Sequence, residues 1–262
     1  MNLQLTNKTA LVTGSTAGIG LAIARRLAAE GAEVIITGRT EARLQEARAA
    51  IVAETPTAAV RGVAVDFGRA EEMAHLLREV PTVDILVNNV GIFEPKPFAE
   101  ISDEDWVRFF EVNVLSGVRL ARQYFPLMLA QDWGRILFIS SESALQIPAE
   151  MIHYGTTKTA QLAVARGLAE LTKGTGVTVN SVLPGPTASE GVEEFLKQLA
   201  GAGKTRAEAE HEFFRDARPS SLLQRFITTD EVASLVAYLA SPLAAATNGA
   251  SVRVDGGVVR HI

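Results

Sequence analysis

Thr13-Gly14-Ser15-Thr16-Ala17-Gly18-Ile19-Gly20 stands between an apolar run, Thr9–Val12, and a stretch, 21–30, that reads as a helix. Three glycines at a strand-to-helix turn let the backbone bend sharply and approach a ligand closely, because they carry no Cβ. The helix start would then offer unpaired N–H groups and a positive dipole end to a phosphate. The spacing is Gly-x3-Gly-x-Gly, not the common dinucleotide fingerprint Gly-x-Gly-x-x-Gly. Many βα turns use glycine for geometry alone, so the loop has to be read with the rest of the chain.

Outward from the loop, Ile19, Ala22, Ile23 and Leu27 recur at helical spacing and Gly31 follows as a stop. Short β-branched runs come at 34–37, 62–65, 84–87, 135–139, 177–182 and Ser251–Val254. Helical patterns separate them at 41–53, Ala70–Glu79, 102–128, 152–172 and 229–239. Ser102 reads as an N-cap with Asp105 in place of the usual Glu or Gln, and Thr229 as the cap of the last helix. Short, continuous apolar strands, each followed by a helix, predict an α/β fold. The expected architecture is a Rossmann-like, doubly wound parallel sheet of about seven strands with helices on both faces. No linker or repeat interrupts it, so a single domain over 1–262 is expected. The polar stretch at about 190–225 reads as a substrate lid, hinged at 200–203.

The chain has 262 residues, 47% hydrophobic and 21% charged, which suits a soluble domain with a sizeable core. A net charge of −5 without a local basic cluster argues against nucleic acid. There are no cysteines, and the four histidines do not pair at metal-ligand spacing, so no metal is expected. No leader or long apolar span is visible, and a cytoplasmic setting without a membrane is the expectation.

In a parallel sheet of this kind ligands bind beyond the carboxyl ends of the strands. Residues 13–20, Asp66, 88–91, 140–141 and 184–189 all fall there. Tyr154 and Lys158 are four apart on one helix and so share a face. A nearby ammonium favours the phenolate and is expected to lower the tyrosine pKa, making the pair a proton donor to a carbonyl or acceptor from an alcohol. Ser141 ends its strand thirteen residues earlier and could hold the substrate oxygen, with Ser140 as the neighbouring candidate. Asn113 sits mid-helix, an unfavourable place that suggests a packing or functional reason.

Taken together these residues resemble a short-chain dehydrogenase/reductase of the single-domain branch, over essentially the whole chain. The motifs are Thr13-Gly14-x3-Gly18-x-Gly20, Asn88-Asn89-x-Gly91, Asn113, Ser141, Tyr154-x3-Lys158 and Pro184-Gly185, in that family's order. The resemblance implies hydride transfer between a nicotinamide cofactor and a carbonyl or secondary alcohol. Tyr154 would be the acid/base and Lys158 would lower its pKa and bind the nicotinamide ribose. Ser141 would polarise the carbonyl, and Asn113 would hold a water that relays protons. The cofactor would lie against Gly14, Ser15, Thr16, Gly18, Ile19 and Gly20, with Ile19 at the pyrophosphate. Asp66 would meet the adenine, and Asn88, Val90 and Gly91 would line the adenosine side. Pro184, Gly185, Thr187 and Ser189 would flank the carboxamide. Val90 replaces the family's usual Ala, and Ser189 its usual Thr, with Thr187 a competing candidate.

An NAD site usually ends its second strand with Asp or Glu on the ribose 2′-OH. Here Gly38 stands at that place and Arg39 follows, suited to a 2′-phosphate, so NADPH is favoured and NADH is the alternative. Ala17 counts the other way, since a basic residue often stands there in NADPH-preferring relatives. By resemblance, 93–97, 142–153 and 186–225 should line the substrate pocket. Glu142 would disfavour an anionic group if it pointed inward, and the plainer expectation is that it faces solvent. A ketone reductase or alcohol dehydrogenase is the leading reading, a 3-oxoacyl-carrier-protein reductase the runner-up, and a silent nicotinamide-binding regulator the third. The resemblance also implies a homotetramer or homodimer through 102–128, 152–172 and the last strand.

Overall fold

The computed structural model describes residues 2–189, 192 and 205–261. A seven-stranded sheet carries the chain, built from β1 (Thr9–Val12), β2 (Glu33–Gly38), β3 (Val60–Ala64), β4 (Ile85–Asn88), β5 (Gly134–Ile139), β6 (Val177–Pro184) and β9 (Ser251–Val254). Their spatial order is β3-β2-β1-β4-β5-β6-β9 and every pairing is parallel. The strand order reverses between β1 and β4, which opens a crevice at their carboxyl ends.

Helices α1 (Gly18–Ala29), α2 (Glu41–Glu54) and α8 (Thr229–Ala240) cover one face, and α3 (Ala70–Glu79), α5 (Ser116–Ala130) and α6 (Ile152–Glu170) the other. The side-chain alternation of the strands divides the core accordingly. Ala10, Val12, Val34 and Ile36 pack with Ile23, Leu27, Val232 and Val236. Leu11, Ile35, Leu86 and Ile136 pack with Leu76, Leu120, Tyr124 and Met128. Because both faces are covered, the strands read as unbroken apolar runs.

Two expectations are corrected. The helix expected over 102–128 is interrupted: α4 (Asp103–Phe110) passes into a wide π turn at Glu111–Leu115 before α5 begins. There the Ser116 N–H reaches back five residues to the Glu111 carbonyl, and Asn113 is buried inside the turn. Thr228, not Thr229, caps α8: its hydroxyl accepts from the Glu231 N–H while Glu231 accepts from the Thr228 N–H, a closed box that leaves Thr229 as the first helical residue. The Ser102–Asp105 box at the start of α4 forms as expected. The stretch at about 190–225, expected as a lid, is described only in part. Most of 190–204 and the expected hinge at 200–203 lie outside the described residues. The later part forms α7 (Arg206–Asp216), which packs Ala209 and Phe214 on Phe226. A two-residue ladder, β7 (Thr187–Ala188) with β8 (Ile227–Thr228), brings both ends of the insertion together.

Gly20 shows how tightly the first turn is drawn. A Cβ there would lie 2.3 Å from the Gly14 carbonyl oxygen and 2.5 Å from Asn89 Nδ2. Gly20→Ala is therefore expected to cost about 1–3 kcal/mol of stability through overpacking. The check is urea denaturation, with a lower midpoint at unchanged slope. An unchanged midpoint would mean that the loop yields without strain.

Candidate active site

Two loops meet at the crevice. The Thr13 hydroxyl donates to the Val87 carbonyl and accepts from the N–H groups of Asn89 (2.8 Å) and Val90 (3.0 Å). Asn89 returns the contact, donating from Nδ2 to the carbonyls of Thr13 and Gly14. On the other side the Gly14 N–H donates to Thr37 Oγ1. Gly14 and Gly18 take positive φ, 60° and 54°. A Cβ on Gly14 would press on Val90 at 3.0 Å. No side chain caps α1, and its first turn holds no acid. These features fit a dinucleotide: a backbone cradle that side chains would fill, ending in a bare helix N-terminus able to take a pyrophosphate.

The other sequence-chosen cofactor residues are placed unequally. Ile19, Pro184, Gly185, Thr187 and Ser189 line a cavity of about 600 Å³ that begins at this loop. Gly91 lies beside Lys158 and Asn113, its absent Cβ 3.3 Å from Lys158 Nζ. Thr16 covers Gly38 so closely that a Cβ there would meet Thr16 Cγ2 at 2.4 Å. Arg39 is exposed and makes no ion pair or side-chain hydrogen bond among the described residues. Asp66, two residues beyond β3, is half-buried, its carboxylate accepting from the Gly68 N–H. Ser15 and Asn88 face elsewhere. Ser15 is fully buried and gives its hydroxyl proton to Val12 and its N–H to Thr37, so it braces the loop from behind. The Asn88 side chain turns toward α5, where Gly117 makes room for it.

The same cavity is lined by Ser141, Glu142 and Tyr154, with Phe93 edge-on to the tyrosine ring. His153, fully buried against Phe109 at 4.0 Å between ring centroids, anchors the first turn of α6 and so the position of Tyr154. Both Ser140 and Ser141 line the cavity; the Ser140 hydroxyl is tied to the Lys158 carbonyl and the Ser141 hydroxyl to Glu142. Lys158 is buried, donates to the Ile139 carbonyl at 2.9 Å and reaches Gln161 Oε1 at 3.4 Å. Burial lowers its pKa to about 8. Asn113 spends its side chain on Ile92 and Thr157, and its carbonyl accepts from Gln161 Nε2. Gln161 thus links Lys158 to the π turn.

Two expectations about charge are corrected here. The Tyr154 phenol is pushed up, not down. Burial is the larger cause and the Glu142 charge the next, and these outweigh the Ser141 hydrogen bond and Arg218. The Lys158 ammonium lies 5.6 Å from the ring centroid, with its hydrogen bonds directed to Ile139 and Gln161. Glu142 does not face solvent. It is buried, accepts from the Ser141 hydroxyl at 2.5 Å and pairs with Arg218 Nε at 3.1 Å.

The family model for short chain dehydrogenase matches residues 8–200. The chain is a short-chain dehydrogenase/reductase. It is 50% identical over 263 residues to the uncharacterized oxidoreductase YvaG of Bacillus subtilis (strain 168), with all of both chains covered. It is 32% identical over 262 residues to a 3-oxoacyl-(acyl-carrier-protein) reductase of Aquifex aeolicus (strain VF5), covering 98% of this chain and 100% of that one. An L-sorbose reductase from Gluconobacter frateurii, solved with NADPH and L-sorbose, shares its fold at a TM-score of 0.94 with 30% identity over the whole of both chains. The protein is accordingly an NAD(P)-dependent oxidoreductase that acts on small molecules. None of its described helices is long and apolar enough to cross a membrane.

Four contributors to the site escaped the sequence reading: Thr13 and Asn89 as the clamp, Gln161 as the bridge, and Arg218 as the partner of Glu142. Gln161 had a signal, since it lies three residues after Lys158 on the same helix face. Arg218 had none, because it lies 76 residues from Glu142 in the chain.

The depressed lysine gives a testable pH dependence. The unfolded chain keeps an ordinary lysine near 10.5, so the native state carries the cost of the buried charge below about pH 8. Between about pH 8 and 10 the unfolded chain binds more protons, and this group makes the free protein more stable as pH rises. Urea melts across that window should show the rise in the wild type and lose it in Lys158→Met. Parallel curves for the two proteins would rule the depressed lysine out.

Proposed function

We propose that this short-chain dehydrogenase/reductase reduces a ketone to a secondary alcohol, with NADPH favoured as its cofactor and NADH the alternative. The observation that carries the reading is that Ser141 and Tyr154 line the same cavity as Ile19 of the glycine loop. Gly14, Gly18, Ile19 and Gly20 would hold the pyrophosphate, with Thr16 and Ser15 shaping the loop. Asp66 would meet the adenine. Asn88, Val90 and Gly91 would back the adenosine side, and Pro184, Gly185, Thr187 and Ser189 the carboxamide. Bound there, the reduced nicotinamide supplies the hydride for the carbonyl carbon.

The protein's own part is to hold the carbonyl and protonate it. Tyr154, kept protonated by its surroundings, donates its phenolic proton to the developing alkoxide. Ser141 orients the carbonyl oxygen beside the phenol. Lys158 binds the nicotinamide ribose and returns a proton to Tyr154. The Asn113 carbonyl, already met by Gln161, would be the group that holds a relay water. Tyr154→Phe should then abolish turnover while changing cofactor affinity less than about threefold, by fluorescence titration. Equal loss of both would make Tyr154 a packing residue.

The NADPH preference rests on Thr16, Gly38 and Arg39. A side chain at 38 would press on the Thr16 methyl, so Thr16 would have to turn before the usual ribose ligand of an NAD site could stand there. Arg39, the next residue and exposed, would pair with a 2′-phosphate. Titration should show NADPH binding about tenfold more tightly than NADH, the worth of one charge-assisted contact of about 1.5 kcal/mol. Arg39→Ala should bring the two together. Equal affinities in the wild type would end the preference.

Reduction of a 3-oxoacyl chain is the second reading. The apolar wall of Phe93, Pro95, Met151, Phe213 and Phe226 is the observation behind it. A homodimer or homotetramer through α4–α5 and α6 belongs to the same proposal, with Val107 and Phe110 exposed on α4.

A further inference from the structure

Glu142 is joined to the Ser141 hydroxyl in a way the reaction itself does not call for. The Ser141 proton is given to Glu142 Oε2, and its oxygen accepts from the Ser143 N–H. With its one proton on Glu142, Ser141 cannot at the same time donate to the Tyr154 oxygen or to a carbonyl oxygen, since a hydroxyl carries one donor. To serve the substrate it must turn away from Glu142. The vacated carboxylate oxygen is then a buried acceptor without a donor, which is costly. Its other oxygen stays held by Arg218, so the carboxylate cannot swing out after the serine. Arg218 is itself fixed by Glu150 and by the Ala217 carbonyl at the end of α7.

A substrate that brings its own donor repairs this. A hydroxyl on the carbon next to the carbonyl lies about one hydrogen-bond length from the carbonyl oxygen, the same relation that Ser141 has to Glu142. We propose that the substrate is an uncharged α-hydroxy ketone, whose hydroxyl donates to Glu142 while its carbonyl accepts from Ser141 and Tyr154. This rests on the reductase reading above. In the reduction the C=O π bond opens, the nicotinamide hydride forms the C–H bond and the Tyr154 proton forms the O–H bond. The product is a vicinal diol, and the phenolate regains its proton from solvent through Lys158.

The charge of the cavity sets the second half of the proposal. Among the described lining residues Glu142 and Glu150 both engage Arg218, so its guanidinium is already committed to two carboxylates. A carboxylate next to the carbonyl would meet Glu142 instead of donating to it, so 2-oxo acids are disfavoured.

The test compares kcat/KM for 1-hydroxy-2-butanone, 2-butanone and 2-oxobutyrate with NADPH. The hydroxy ketone should exceed 2-butanone by at least about tenfold, and 2-oxobutyrate should fall below both. Calorimetric titration of the three compounds into enzyme carrying oxidised cofactor should give the same order without turnover. In Glu142→Gln the amide oxygen turns to Arg218 and its NH2 faces the cavity. The preference for the hydroxy ketone should then shrink to about threefold or less, mainly through KM. The wild-type order stands as evidence even if that variant does not fold. Turnover with equal kcat/KM for the two ketones, or with 2-oxobutyrate preferred, overturns the proposal and leaves the reductase reading intact. If none of the three is bound or turned over while NADPH still binds, the reductase reading fails and takes this proposal with it.

Discussion

Where the sheet reverses its order, β1 and β4 part, and the hydroxyl of Thr13 joins their two loops again. One oxygen accepts two backbone N–H groups from Asn89 and Val90, and the Asn89 amide answers with bonds to two carbonyls. The glycine turn can close only because Gly20 brings no Cβ against Gly14 and Asn89. Everything at the carboxyl edge inherits its position from this clamp. It fixes where α1 begins, and hence where its unpaired N–H groups point. It also sets Val90 and Gly91, and through Gly91 the neighbourhood of Lys158 and Asn113. Ser15 and Thr37 brace the loop from the β2 side, so the turn is held on both flanks.

The second theme is burial working on charge. Desolvation penalises whichever form is ionised, so the same enclosed site drives Lys158 down and Tyr154 up. A tyrosine that holds its proton is suited to give it to an alkoxide formed beside it. Glu142 reinforces this by placing a negative charge in the same enclosure, and Arg218 moderates it. The ion pair also ties α7 to the strand end that carries Ser141. With the β7–β8 ladder drawing both ends of the insertion together, the far wall of the cavity and the serine are mechanically one unit.

The π turn at Glu111–Leu115 shows how local irregularity serves position. An unbroken helix would have matched the apolar pattern equally well. The wide turn instead buries Asn113, whose side chain is saturated by Ile92 and Thr157 and whose carbonyl meets Gln161. The sequence hinted at this only by placing an asparagine mid-helix, which has no local reward there.

By itself the sequence determined the parallel α/β sheet, its helices on both faces, and the family through its spaced motifs. Strand and helix periodicity, N-capping and glycine turns are local properties, written in residues within a few positions of one another. The Tyr154–Lys158 pair and the choice of carboxyl edge follow from the same short-range rules. The tertiary structure alone decided that Ser15 and Asn88 face away from the cradle, that Thr16 closes the space over Gly38, and that Glu142 turns inward. It also reversed the expected direction of the Tyr154 shift. Each of these depends on a partner or an enclosure made by distant chain, as when Arg218 crosses 76 residues to meet Glu142. Burial and charge pairing are properties of the packed volume, and no local window of sequence contains them.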